Sequence, residues 1–543
     1  MNICQVRKMA KIIDLSFSPE EYTLLPDKPD KQEKDFGPSV SKVLKSGKHI
    51  TDNDYRIVKK SIDARRKSQL KICIKIELLR HQDNINNIVP DDDKLVDIRN
   101  VIKKSPVIVG FGPAGIFAAL YLAQKGLEPI VIERGFEVEK RVVDVNNHMR
   151  GQPINPSSNI QFGEGGAGTF SDGKLYSGIS DYRRSLILNM LVEYGAPSEI
   201  LYLNNPHVGT DRLRIIIPKI RDEIIRLGGR FMFGRKVVSI NKNKSLLSSI
   251  VHVCSVSGED EQVIECSHLI LAIGHSARDT FKTLRESGID IQAKPFAVGL
   301  RIEHLQSWIN QAQFGPYSTH PALGAADYRL VSHHKPFRSA YTFCMCPGGY
   351  VIAASDTPGQ VVTNGMSCYL RDSVNSNAAI LVGVSLADFD SNDALAGMYF
   401  QERLEKSAFE LGGSNGYAPV QRVEDFINDV ESTRFGEVEP SFLPGVTFSN
   451  LKDLFPNVIY EGLRDGIIQM GTKLRGFSHP DAILTAVETR TSSPVRIIRD
   501  ESLHSPSCKG LYPCGEGAGY AGGIMSSAVD GLRCAEQLFH DSL

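Results

Sequence analysis

Residues 106–135 read PVIVGFGPAGIFAALYLAQKGLEPIVIERG. A β-branched run, Val107 to Val109, enters Gly110-Phe111-Gly112-Pro113-Ala114-Gly115, and apolar residues follow at helical spacing at Ile116, Ala119, Leu120 and Ala123. The order is strand, glycine turn, helix. Gly110 would turn the chain tightly, Gly112 would let backbone amides approach a pyrophosphate, and Gly115 would let the helix pack close to the strand. The unpaired amides of the first helical turn, around Pro113 and Ala114, would face the phosphates at the positive end of the dipole. Gly126 closes the helix, and a second strand, Pro129 to Ile132, ends in Glu133, 23 residues after Gly110, with Arg134 behind it. The Glu133 carboxylate would accept hydrogen bonds from a ribose diol and argues against a 2′-phosphate. A βαβ crossover without a ligand leaves Gly115 and Glu133 unexplained. The fingerprint alone does not separate NAD from FAD.

A chain of 543 residues exceeds one core and implies about two to four domains. The 62 basic and 63 acidic residues leave a net charge of -1, so no overall field recruits nucleic acid or an anionic membrane. No apolar run is long enough to span a bilayer, and the start MNICQVRKMAKIIDL lacks the apolar core of a secretory signal, which reads as cytoplasmic. The cysteines show no zinc or disulfide-scaffold spacing, and no metal site is expected. Cys344-Met345-Cys346 stands apart, either as a redox pair or as buried strand thiols.

Residues 1–98 read as a separate small α+β module, with a ferredoxin-like unit among the candidates. Lys11 to Ser16 and Leu70 to Leu78 alternate as strands, and Ser39 to Leu44 reads as a short helix. Lys59 to Lys67 (KKSIDARRK) reads as a solvated helix face or an RNA contact, and Gln82 to Asp93 as a linker. Residues 99–290 form the first part of a Rossmann-type dinucleotide-binding α/β domain. Within it, Asn159 to Leu175 (NIQFGEGGAGTFSDGKL) repeats GxGxxG without a following apolar helix, and so reads as a ligand-facing loop. Phe231 to Ile240, Ser249 to Val256 and Val263 to Ala272 read as a β-meander returning to the sheet at Gly274-His275. Residues 291–474 read as an inserted mixed α+β substrate domain. Residues 475–543 return to the nucleotide fold, where the strand Leu511 to Cys514 runs into Gly515-Glu516-Gly517-Ala518-Gly519 and a helix starts near Gly523. Glu516 is placed there to bind polyol hydroxyls.

VIVGFGPAGIFAALYLAQKG with IERG, FGEGGAGTFSDGKL, LAIGHSARDTF, KPFAVGLRIEH, FCMCPGG, VETRTSSPVRIIRD and LYPCGEGAGYAGGI together resemble flavoproteins of the glutathione-reductase structural type, most of all the bacterial FAD-dependent (NAD(FAD)-utilizing) dehydrogenases without an assigned substrate. The N-terminal module is similar to that family's extra domain. The resemblance implies FAD, with Gly110, Gly112 and Gly115 at the pyrophosphate, Glu133 at the adenosine ribose, the backbone of Val238 at adenine, and Gly515 and Glu516 at the ribitol, where Glu replaces the family's Asp. Pro113, Ala114, Arg134, Gly165, Gly166, Thr169 and Gly274 are further candidate cofactor contacts. Gly523 and Ile524 would then bring a helix N-terminus to the flavin pyrimidine edge. No cysteine pair follows the first glycine helix, which argues against a dithiol reductase, and no second Rossmann unit is evident. NADH or NADPH would then serve only as a transient donor.

These readings describe an FAD-dependent oxidoreductase passing a hydride through flavin N5 to or from a small, anionic organic substrate. His275 would move a proton, and Arg278, Arg490 and Arg496 would hold the anion. A tRNA-modifying flavoprotein and a non-catalytic FAD-bound module are the alternatives. The sequence is silent on oligomeric state.

Overall fold

The computed structural model describes residues 12–26, 34–45, 50–79, 105–242, 249–389 and 391–542. Its centre is a five-stranded sheet in the order Leu511–Pro513, Leu269–Leu271, Val107–Val109, Ile130–Glu133, Arg230–Phe233, with every neighbouring pair parallel. The unbroken apolar strands VIV and LIL fit a sheet covered on both faces. Alternate residues serve the two layers. Ile108, Val131, Ile270 and Tyr512 pack under the helices Pro113–Gln124, Thr210–Arg226 and Ile524–Asp541. Val107, Val109, Ile132, Leu269 and Leu271 pack against the antiparallel meander Arg235–Lys242, Ser249–Ser255 and Glu261–Cys266. The meander is shorter than its three sequence runs, because Gly234 and the Ser267-His268 pair cut off the flanking parallel strands.

The glycine-turn helix Pro113–Gln124 and the C-terminal helix Ile524–Asp541 touch backbone to backbone. A β-carbon on Gly531 would overlap the Ala114 carbonyl, and one on Gly115 would overlap the carbonyl of Gly110. Two glycines thus let the glycine-turn helix sit against its own strand and against the C-terminal helix.

A seven-stranded sheet covers the ends of the parallel strands, in the order Val331–Ser332, Ala340–Cys346, Asn375–Val384, Phe296–Leu305, Ile483–Glu488, Ala418–Arg422, Val446–Phe448. It is antiparallel except for its last pair. Ile483–Glu488 pairs with both Phe296–Leu305 and Ala418–Arg422, so this sheet extends past the expected boundary at 474 and the chain leaves it only after Glu488.

The N-terminal module holds three antiparallel strands in the order Ile12–Phe17, Lys71–Leu78, Tyr55–Asp63, with short helices Pro19–Thr23 and Gly37–Leu44. Lys59 to Asp63, read from sequence as a helix face, is instead the end of an edge strand, because the Lys71–Leu78 alternation supplies it with a pairing partner. The linker expected at 82–93 lies outside the described residues. The module is not a separate body: Phe36, Ile72, Ile74 and Ile76 share one apolar cluster with Val298, Leu300 and Ile302. Its edge strand is also pinned by backbone bonds from Lys60 N–H to the Tyr202 carbonyl (2.8 Å) and from Asn204 N–H to the Lys60 carbonyl (3.0 Å).

Because Gly531 has no room for a side chain, Gly531→Leu is expected to push the two helices apart and to destabilise the fold by about 1–3 kcal/mol or more. The urea midpoint, followed by far-UV circular dichroism, checks this.

Candidate functional site

A cavity of about 1190 Å³ opens where the parallel strands end and the seven-stranded sheet lies across them. One stretch of its wall carries Gly110, Gly112, Pro113, Ala114, Glu133 and Arg134, and another carries Gly515, Glu516, Gly523 and Ile524. Two helices start on it, Pro113–Gln124 after Gly112 and Ile524–Asp541 after Gly523, and neither N-cap residue supplies a side-chain hydrogen bond. Both N-termini therefore offer backbone donors and positive dipole ends to whatever fills the space. A β-carbon on Gly112 would meet nothing closer than the Gly166 Cα at 3.6 Å, so the protein alone leaves that space free.

The wall is organised by two buried charges of opposite sign. Glu133 accepts hydrogen bonds from the N–H groups of Phe111 (2.8 Å), Gly135 (2.9 Å) and Gly163 (3.0 Å). It thereby ties the glycine turn, its own strand end and the second glycine loop to one carboxylate. Arg141, on the helix Val138–Met149, does the converse for the loop carbonyls, donating to Asn159 (2.8 Å), Ile160 (2.9 Å), Gly163 (3.2 Å) and Glu164 (2.6 Å). Burial pushes the Arg141 pKa down to about 9. Burial likewise pushes the Glu164 carboxyl up to about 7, although Val138 N–H and Arg221 both bind it.

Most of the residues read as cofactor contacts line this cavity, Gly166 and Gly274 among them. Gly115, Gly165, Thr169 and Val238 do not. Gly115 is spent on helix packing. Gly165 and Thr169 lie behind the loop, where the Thr169 hydroxyl donates to the Glu164 carbonyl (3.2 Å) and its carbonyl accepts from Thr210 (2.7 Å). Near the expected adenine position, Val237 lines the cavity in place of Val238, because the strand register shifts between Val237 and Ser239.

The four residues read as catalytic separate. His275 lines the cavity, with Nδ1 3.2 Å from the Glu516 carboxylate and Nε2 buried without a partner among the described residues. Burial raises the Glu516 carboxyl, but His275, the Gly523 N–H and Lys294 outweigh it and hold the pKa below its usual value. Arg278 lies outside the lining and is clamped by both oxygens of Glu405 at 2.7 Å. Arg490 lines the cavity but is bound by Glu405 (2.9 Å) and Asp356 (2.8 Å). Arg496 is exposed, outside the lining, and rests on the Tyr520 ring at 5.1 Å. Arg278 and Arg490 thus already have buried carboxylate partners, so neither is a free anion clamp. Sequence reading passed over Arg141, Lys174, Lys294 and Arg329. The last three line the cavity; Lys174 and Lys294 stand in the stretches FGEGGAGTFSDGKL and KPFAVGLRIEH, whereas Arg329 stands in no motif.

The strand Ala340–Cys346 is bulged at its thiols, where the register shifts between Phe343 and Cys346 and Cys344 takes φ 41°. Cys344 opens onto the cavity while Cys346 is buried, and the Lys174 ammonium donates to the Met345 carbonyl between them. Desolvation inside the cavity pushes the Cys344 thiol up to about 11, and burial raises Cys346 as well, so both are poor nucleophiles near neutrality.

Residues 295–491 match the family model described as FAD-dependent protein, C-terminal domain-like, and residues 9–79 match a domain of unknown function, DUF8436. An uncharacterized protein of Clostridium beijerinckii is 48% identical over 494 residues, spanning 89% of this chain and 91% of that one. The chain belongs to the family of that protein, and its residues 295–491 are similar to the C-terminal domain of FAD-dependent proteins. Among solved structures, the flavin-dependent brominase Bmp2 aligns over 81% of this chain and 79% of its own at 12% identity and a TM-score of 0.36. Glycine oxidase from Geobacillus kaustophilus aligns over 80% and 94% at 11% identity and a TM-score of 0.35. For OxyS anhydrotetracycline hydroxylase from Streptomyces rimosus the shares are 54% and 48%, so the chain spans about half of that protein, at 17% identity and a TM-score of 0.26. Likenesses this slight carry no argument about chemistry. Among the described residues no helix is long and apolar enough to cross a membrane.

Glu133→Ala removes the common acceptor of three buried N–H groups, and is expected to cost about 3 kcal/mol or more in stability as well as retention of any dinucleotide. Paired urea unfolding and measurement of bound nucleotide check both effects. A variant as stable as the parent would show that the carboxylate does not hold the two loops.

Proposed function

We propose that this protein is a flavin-dependent oxidoreductase that holds FAD along the cavity. The observation that carries the reading is the pair of side-chain-uncapped helix N-termini opening on one space, with a glycine turn at each and Glu133 at one end. A dinucleotide supplies an anionic centre for the first helix and an electron-accepting ring for the second. The residues fit such a group: Gly112 leaves room beside the turn, Glu133 retains acceptor capacity beyond its three protein bonds, and Glu516 is ionised and faces the cavity.

When bound, FAD would supply hydride or electron transfer at the flavin. The chain's own part is to bind and orient. The Gly112 turn and the first helix would take the phosphates, Glu516 would take polyol hydroxyls, and the Ile524–Asp541 helix end would favour negative charge on the ring. His275, its Nδ1 held by Glu516, would present Nε2 for proton movement. The dehydrogenase assignment, hydride direction and a visiting NADH or NADPH belong to this proposal, as does a small organic substrate covered by the seven-stranded sheet.

Denaturing the purified protein and separating the supernatant chromatographically is expected to yield FAD. Recovery of NAD alone, or of FMN without adenylate, would overturn the reading.

The raised thiols and bulged strand argue that electrons do not pass through Cys344 and Cys346. The double variant Cys344→Ser/Cys346→Ser is therefore expected to reduce its flavin, under anaerobic conditions with the best donor, within a few-fold of the parent rate. Abolished reduction at full FAD content would make the thiols the relay.

A further inference from the structure

The arginines on the cavity wall differ in what neutralises them. Arg134 pairs with Asp279 at 2.5 Å, Arg235 with Asp260 at 2.6 Å, and Arg490 with Asp356 and Glu405. Arg329 alone among them makes no ion pair with a described residue. Its guanidinium instead lies 4.8 Å above the Tyr176 ring and donates to the Tyr176 hydroxyl at 3.3 Å.

Arg329 is exposed, and although Asp327 also lines the cavity, the wall segments beside Arg329 carry aromatic and apolar side chains. Tyr176 and Ile179 come from the loop after the second glycine segment, and Tyr341 and Phe343 from the bulged strand; all four line the cavity. Three of them keep unusual solvent access for large apolar side chains, Tyr176 at 43%, Ile179 at 39% and Phe343 at 37%. The pieces are fixed relative to one another. Lys174 donates to the Met345 carbonyl, Leu330 N–H donates to Thr342 Oγ1 at 2.8 Å, and Val331 pairs with Tyr341. A stacked guanidinium keeps its N–H edge free for a planar acceptor, and aromatic walls favour a flat apolar body.

We infer that this end of the cavity is a subsite for an aromatic carboxylate, its ring against Tyr176, Tyr341 and Phe343 and its carboxylate on Arg329. The inference deepens the flavin reading, on which it rests for the ligand's role as substrate, by giving that substrate a chemical class. It also moves the anion contact from the arginines that carboxylates already hold to one that is free.

Equilibrium dialysis of the protein as purified tests it, with 1-naphthoate as the acid and 1-naphthamide as its neutral analogue. The acid is expected to bind about tenfold or more tighter than the amide, as a charge-assisted pair would give. Arg329→Gln is expected to bring the acid down to the affinity of the amide, and Phe343→Ser to weaken both. Equal binding of acid and amide to the parent overturns the inference, and so does an acid preference that survives in folded Arg329→Gln. If that variant fails to fold, the comparison on the parent protein decides. FAD released from the same samples is measured separately. Acid preference without FAD would sink the flavin reading and keep the subsite, whereas FAD without acid preference would do the reverse.

Discussion

A single carboxylate positions the cavity. Glu133 is buried at the end of the second strand of the parallel sheet, where it takes the N–H groups of Phe111, Gly135 and Gly163. Buried backbone donors are costly to leave unpaired, and glycine-rich loops have no side chains with which to satisfy them locally. One acceptor serving three segments therefore does what a hydrophobic contact cannot do for glycine. Arg141 supplies the complement by collecting the carbonyls of the same loop. The Glu133 carboxylate favours the charged form of the guanidinium, which offsets part of the cost of burying Arg141.

The covering sheet is aligned by a second charged joint. Glu405 lies on the helix Ala396–Leu411 and receives Arg278, from the helix that follows the parallel strand Leu269–Leu271, and Arg490, from the segment returning out of the seven-stranded sheet. Burial raises the Glu405 carboxyl, but the two guanidinium groups more than offset this and hold it far below the usual range. Such a cluster is weak evidence for net stability, because desolvation consumes much of the attraction. Its directionality is the stronger consequence: bidentate Arg–carboxylate bonds fix angles, and here they fix the cover over the cavity. Arg301 and Glu488 repeat the device inside the covering sheet, with Cys344, Asn364 and Asn377 taking the remaining guanidinium protons.

What could be read from sequence was what is local. The glycine turn, the strand that ends in Glu133 and the strand leading into Gly515 each carry their physical reason within a few residues, and Gly110, Gly112, Glu133 and Gly515 line the cavity. The arginines failed as a guide because their partners lie far along the chain, Glu405 being 127 residues from Arg278. Nothing in a single sequence distinguishes an arginine that will meet a buried carboxylate from one that will not. Val238 lies off the cavity and the two thiols differ in exposure for a related reason, since a bulge breaks the alternation of each strand and leaves no reliable mark in composition. The domain boundary slipped because Ile483–Glu488 is as apolar as a parallel strand, and only pairing reveals which sheet it joins.

These constraints divide the cavity into two chemical halves. Where the parallel strands end, it is walled by glycine backbone and helix N-termini together with Glu133, Arg134, His275 and Glu516. Beneath the covering sheet it is walled by Tyr176, Tyr341, Phe343, Cys344 and Arg329, where side chains decide what fits. On the proposed function, exchanging residues on the covering sheet would change what fits there without disturbing the backbone cradle, because the loops of that cradle are held by Glu133 and Arg141. The N-terminal module enters the same economy of parts: Lys60 bonds the segment that carries Asn204, a wall residue, so the module braces the side of the cavity where selection would occur.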